Sequence, residues 1–310
     1  MPKKASKSKK VTLEIRSRES FSEGIKRILI RLHEDAARLI VSKSRIHLSI
    51  HEVRTHIKKI RGIIRLIRDE IGEKQYQALN AYYRELGMEV APVRDDTSQI
   101  ELLQNISKTI KSDALKKSIS KSVKKIRARR IEHFEIFYKA GKDQIISKKF
   151  LDQIPIIEGL HIEGDPKFFI KKSLKRIYLR ARTAMNAALK TKSNEEYHNW
   201  RKQAKYLTYH MMLIRKVWPS YFNSYFTELG KLTALLGDIH DLFLFRYHLK
   251  EGALADLDNN VKKILQRKIY KTQKQLFGKS QLLGVKIYGE SETHFANLLY
   301  LFWTSNPSFR

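Results

Sequence analysis

Apolar residues recur at helical spacing along most of the chain, without sustained apolar–polar alternation, so the pattern predicts an all-α fold. The clearest stretch is 50–72, where Val53, Ile57, Ile60, Ile64, Ile67 and Ile71 step by four and three to make one continuous seam. Spacing and breakers predict helices over 21–44, 50–72, 74–90, 97–111, 113–140 and 144–153. A second set is predicted over 168–191, 194–217, 220–236, 239–250 and 254–277. Ser49 with Glu52, and Ser193 with Glu196, fit the Ser-x-x-Glu capping box, in which hydroxyl and carboxylate satisfy unpaired backbone donors at a helix start. The densest breakers, Pro155, Gly159, Gly164 and Pro166, lie close to the midpoint and predict a division there. The expected organisation is a basic flexible segment 1–11, a helical unit 12–153, a linker 154–167, a second unit 168–283 and a tail 284–310. "THFANLLYLFW" in the tail reads as a final packing helix.

The two halves repeat one another in order. "IKRILIR" at Ile25–Arg31 meets "LKRIYLR" at Leu174–Arg180, an offset of 174 − 25 = 149. His51, Arg54 and Lys58 meet His198, Arg201 and Lys205 at 198 − 51 = 147, so both halves carry His-x-x-Arg-x-x-x-Lys. Leu86-Gly87 and Asp95 meet Leu229-Gly230 and Asp238 at 229 − 86 = 143. Three matches in one order, drifting by small gaps, indicate a duplicated helical unit.

Charge gives the seams a purpose. Over 310 residues there are 62 Lys+Arg against 32 Asp+Glu, a formal net charge of +30, yet 42% of residues are hydrophobic, enough to build a core. A folded chain tolerates such self-repulsion best when a polyanion covers it. His51, Arg54, Lys58, Arg61, Arg65 and Arg68 step along the same helix one residue beyond the apolar seam, and therefore flank it. A solvated face would sit opposite the seam and mix in acids, but between His51 and Arg68 only Glu52 is acidic. Arg27/Arg31 and Arg176/Arg180 recur at i,i+4 in the preceding helices, so two helices in each half are expected to turn cations toward a shared groove. The candidate anion-binding residues are Arg27, Arg31, His51, Arg54, Lys58, Arg61, Arg65 and Arg94 in the first half. In the second they are Arg176, Arg180, His198, Arg201, Lys202 and Lys205.

Arginine forks and lysine charges suit phosphate. Base-reading modules and aromatic stacking platforms are not evident, because runs such as "WPSYFNSYF" read first as helix-packing core. A histidine close to a phosphate chain would be protonated more readily, so binding should tighten as pH falls through roughly 6.5.

With no cysteine, disulfides, thiolate metal sites and cysteine nucleophiles are excluded. "MPKKASKSKK" has no apolar segment behind it, and no run reaches the roughly 18–20 apolar residues of a membrane span, so a cytoplasmic location is expected. A metal-dependent phosphohydrolase could be built from Asp238, His240, Asp241 and His198. Asp238, following Gly237, reads instead as a helix N-cap with Asp241 at its third position. The net charge would also serve a nucleic-acid binder, and Lys3–Lys10 an anionic membrane surface.

The duplicated His-x-x-Arg-x-x-x-Lys helices, the Leu-Gly pair and "RDD" at Arg94–Asp96 resemble the CHAD domain, the conserved histidine α-helical domain, over residues 12–283. The second half departs from the pattern, with Gly237 in place of the arginine of the Arg-Asp pair and Thr208 where a further cation would continue the stripe. The resemblance implies two four-helix-bundle-like repeats, related by a pseudo-two-fold axis around a basic central pore lined by the histidines and cations of the matched helices. It implies binding of inorganic polyphosphate without catalysis and without a cofactor. A separate triphosphate- or polyphosphate-processing enzyme is an implied partner, since no Glu-x-Glu-x-Lys tunnel motif occurs here. Nucleic acid is expected to bind only nonspecifically.

Overall fold

The computed structural model describes residues 11–42, 46–108, 110, 112–251, 254 and 259–309. Among them there are helices and no strands. The first half contains α1 (Phe21–Ile40), α2 (Ile46–Leu66), α3 (Arg68–Ile71), α4 (Glu73–Glu89), α5 (Ala91–Lys108), α6 (Asp113–Lys139), α7 (Lys142–Leu151) and α8 (Ile154–Glu158). A π-helical turn, Lys167–Leu174, leads into α9 (Lys175–Thr191), α10 (Asn194–Ile214), α11 (Pro219–Lys250), α12 (Asn259–Ile287) and α13 (Glu292–Ser305).

Periodicity places the core correctly. On α2 and its continuation, Val53, Ile57, Ile60, Ile64 and Ile67 are all buried, as the seam requires. α1 contributes Ile25, Ile28, Leu29 and Leu32 at the matching spacing. It is started by a full capping box: the Ser20 hydroxyl accepts from Glu23 N at 3.2 Å, and Ser20 N donates to the Glu23 carboxylate at 3.0 Å. α1 lies on α2 and α7, α9 on α10 and α13, α5 on α6, and α11 on α12.

Several boundaries differ from those the sequence predicts. α2 begins at Ile46, so Ser49 is a buried residue within its first turns and the Ser49–Glu52 cap is not formed. Ile46 and Ile50 extend the apolar face one turn toward the N-terminus, and that burial carries the helix past the capping signal. Ser193 does cap α10, accepting from Glu196 N at 3.2 Å. The predicted helices 220–236 and 239–250 are one continuous helix, α11. Leu236 and Ile239 are fully buried on either side of Gly237, and Phe245 and Leu249 continue the face. This burial outweighs the roughly 1 kcal/mol that a mid-helix glycine costs. Asp238 is consequently an exposed mid-helix residue and not an N-cap.

The predicted helix 168–191 opens as a π-helical turn in which Lys175 N donates to the Ile170 carbonyl, and the wider turn lets the neighbours Phe169 and Ile170 both face the core. Residues 154–167 are no loose tether. Pro155 sits in the first turn of α8, Ile157, Leu160 and Ile162 are buried, and Gly164 N donates to the Glu70 carboxylate at 2.6 Å. α12 runs through the expected end of the second unit at 283. α13 packs as expected, with Tyr178 and Phe295 stacked at 4.1 Å and Phe169 edge-on to Trp303 at 5.0 Å.

Buried apolar residues form two clusters. The larger one joins α1, α2, α4, α7, α9, α10 and α13, together with the first half of α11. The smaller one holds together α5, α6, the far end of α11 and α12 through residues such as Leu103, Ile119, Phe245 and Leu265. Within the larger cluster, α2 and α10 meet at Gly62, whose carbonyl accepts from His210 Nε2 at 2.8 Å. A Cβ at Gly62 would lie 2.9 Å from Tyr209 Cδ2, so only glycine permits this approach.

Candidate functional site

Ahead of that crossing, the N-terminal halves of α2 and α10 form two walls of a cavity of about 610 Å³. His51, Arg54 and Lys58 reach it from α2, and His198 and Arg201 from α10. α5 supplies Asp95, Ser98, Gln99, Glu101 and Asn105, while α11 supplies His240, Asp241, Tyr247 and His248. The two copies of His-x-x-Arg therefore share one space. His51, Lys58 and His198 are exposed into it and Arg54 is half-buried, 3.5 Å from the largely exposed Asp95 carboxylate. A pair of this kind, with its carboxylate largely open to water, is worth about 1 kcal/mol and can yield to a stronger anion.

The charges in the cavity act on one another. Burial, then Arg201, Lys202 and Lys58, hold the His198 imidazole below its ordinary pKa. His240, whose ring lies 5.0 Å from that of His198, is lowered to about 4 by burial, then by His198, Arg201 and Lys58. Burial and then Arg129 lower His248. Burial raises Asp241, against the pull of Arg201. Lys205 is not among the lining residues; burial and then Arg201 depress its ammonium. Burial and nearby cations thus act together to keep the His198, His240 and His248 imidazoles neutral.

A second cationic group continues beyond Lys202. Burial, then Arg65 and Arg61, lower the Lys202 ammonium, which also presses on His198 and so adjoins both groups. Arg61 donates to Asn80 at 3.2 Å, and the Arg65 guanidinium lies 4.3 Å over the Tyr206 ring. Burial lowers Arg180, followed by the nearby Arg176 and Arg68. Arg176 itself is engaged by Asp69 at 2.6 Å, and Asp69 also accepts from Ser173, which ties α3 to the π-helical turn.

The remaining sequence candidates lie elsewhere. Arg27 is held by both Glu19 oxygens and the Glu14 carbonyl. Arg31 lines a separate mixed-charge cavity of about 800 Å³ with Arg16, Arg38, Glu34 and Asp35. Thus α1 does not turn its cations toward the shared space: Glu14 and Glu19 in the preceding segment capture Arg27, and Arg31 faces the second cavity. The backbone of Arg94 belongs to α5, and its side chain lies outside the described residues. The Lys3–Lys10 segment also lies outside them.

Sequence reasoning missed the α5 wall, where Ser98, Gln99 and Asn105 follow Asp95 at helical spacing, and it left His248 unassigned. His240 entered only as a metal-ligand candidate, and Asp241 as another or as the third residue of a helix start. Among the described residues, no three His, Asp or Glu side chains are grouped as metal ligands. No helix there is long and apolar enough to cross a membrane.

The all-helical scaffold and its paired His-x-x-Arg walls define the class of protein. The chain belongs to the CHAD domain family, whose model matches residues 30–250, from the middle of α1 to the end of α11. No curated protein matches the chain in sequence.

Proposed function

We propose that this protein binds inorganic polyphosphate without transforming it, along a basic passage between two pseudo-symmetric helical repeats. The carrying observation is the convergence of His51, Arg54 and Lys58 with His198 and Arg201 on one cavity. Lys202 extends that cation set toward Arg61 and Arg65, and Arg65 toward Arg180, a succession of neighbouring cations that suits a polyanion. Each contact is a charge-assisted hydrogen bond of modest strength, so affinity accumulates along the chain and longer polyphosphates bind better. Such a protein would act in the cytoplasm at polyphosphate granules, beside a separate enzyme that makes or degrades the polymer.

Binding of size-defined polyphosphate at physiological salt, with nucleic acid as competitor, tests the reading. Simultaneous Arg54→Glu, Lys58→Glu and Arg201→Glu should abolish binding while helicity is retained. Undiminished binding in that triple variant would reject the cavity as the site. A second reading, a metal-dependent phosphohydrolase, has only the His198–His240 pair, with rings 5.0 Å apart, to start from, since no third ligand is grouped with it among the described residues. Phosphate release that requires a divalent cation and disappears in His240→Ala would establish it.

A further inference from the structure

Outside the residues that match the family lies a second cationic surface. α12 follows the matched segment and carries eight Lys and Arg with no Asp or Glu between Asn259 and Ile287. Its inner face is committed to packing, with Leu265, Ile269, Ser280 and Gly284 buried. Lys263, Arg267, Lys271, Lys274 and Lys279 are exposed on the other side. From Lys263 to Lys279 this row spans about 24 Å of helix. None of the five makes an ion pair within the described residues. The row is convex, as any outer helix face is, so it cannot enclose a thin chain as the cavity can.

Tyr270 stands within the row, 69% exposed, with Arg267 one turn before it, Lys271 adjacent and Lys274 one turn after. Among the described residues no other aromatic ring covers it. A polyphosphate chain has nothing to place on such a ring. A single-stranded nucleic acid has both the phosphates and the bases, and aromatic platforms among cations are how such strands are held. α6 provides the contrast. Lys117, Lys121, Lys124, Lys125 and Arg127 are exposed there, but Phe134 and Phe137 are buried and Tyr138 packs against the core.

We propose that the outer face of α12 is a binding surface for single-stranded nucleic acid, in which Arg267, Lys271 and Lys274 contact successive phosphodiesters and Tyr270 stacks on a base. The surface is separate from the cavity, so this inference does not rest on polyphosphate binding. It assigns nucleic acid a place on the molecule instead of a diffuse attraction to its charge.

The test is titration of a short labelled oligouridylate at fixed, moderate salt, with polyphosphate binding measured in parallel on the same variants. Tyr270→Ala should weaken oligonucleotide binding roughly five- to a hundredfold and Tyr270→Trp should preserve it. Lys271→Glu with Lys274→Glu should weaken it roughly tenfold or more. All three changes should leave polyphosphate binding and helicity unaltered, since the residues are exposed and do not line the cavity. The proposal is overturned if Tyr270→Ala has no effect. It is equally overturned if Lys121→Glu with Lys124→Glu on α6 costs as much as the α12 pair, because charge alone would then explain the binding.

Discussion

At the level of single residues, the protonation of the cavity histidines is the most informative quantity. His198 and His240 sit below the ordinary histidine range through burial first and neighbouring cations second, and His240 lies at about 4. A phosphate chain alongside them removes the second cause and raises both pKa values, so binding takes up protons. Affinity should therefore climb as pH falls from about 6.5 and level off near the free-state value of about 4. Asp241, already raised by burial, acts in the same direction, since its protonation removes a negative charge from the cavity. Calorimetry at pH 6 in buffers of different ionisation enthalpy will register the proton uptake, and His198→Asn with His240→Asn should flatten the profile. Arg54→Ala, by contrast, would on the proposed binding mode remove one of many contacts and should weaken polyphosphate binding only about two- to fivefold. A loss of several orders of magnitude in that variant would mean that the site depends on one anchor.

At the level of elements, glycines mark where helices touch. A Cβ at Gly284 would lie 2.5 Å from Met185 Sδ and 2.8 Å from Trp200 Cζ2, so Gly284→Ala should destabilise the fold by about 1–3 kcal/mol in urea unfolding. At Gly237, in mid-α11, the nearest atom to a Cβ is Arg201 Nε at 3.8 Å. Gly237→Ala should therefore stabilise by about 0.5–1 kcal/mol. Opposite signs at two helical glycines are a sharp check on the packing of α12 and the continuity of α11. The helical periodicity of the sequence made the buried faces legible, because apolar spacing reports directly on which side meets the core. Helix ends were harder to read. Capping patterns describe a local preference, and at Ser49 and Asp238 burial of the flanking Ile50, Leu236 and Ile239 outweighed it. In the site, the α2 and α10 residues were legible because the spacing His-x-x-Arg-x-x-x-Lys occurs twice. Arg27 was misplaced because its partners, Glu14 and Glu19, lie in a coil segment that no periodicity describes. The α5 wall was missed because serine, glutamine and asparagine carry no charge pattern.

At the level of the whole molecule, two fully enclosed histidines set the acid limit. His33 Nδ1 donates to the Leu29 carbonyl, and in the neutral ring that burial favours Nε2 is left to accept from the Tyr83 hydroxyl at 2.6 Å. His33 and His210 both lie at about 4, chiefly through burial. In the unfolded chain they return to roughly 6.5. Between those values the unfolded state binds more protons, so stability is intact above about pH 6.5 and falls on acidification, by up to about 1.4 kcal/mol per pH unit for each ring. Urea midpoints measured from about pH 7 to about pH 4.5 should fall accordingly, and His210→Gln should remove part of the slope. If the proposed function holds, added polyphosphate should counter the loss, since it would both neutralise surface repulsion and favour protonated imidazoles in the cavity. A midpoint that is flat across this range would count against neutral burial.

The contact between His210 and the Gly62 carbonyl lies near one end of the paired walls, while the cavity histidines lie near the other. α2 and α10 are thus joined to each other at the throat and parted by the cavity at the lip, like the arms of tweezers. Bending of those arms widens the lip without disturbing the joint, so amide exchange should be fastest around His51 and His198 and slowest around Gly62. Threading of a polymer from the lip inward would then stiffen the arms progressively, and bound length would be readable as the depth to which exchange is suppressed.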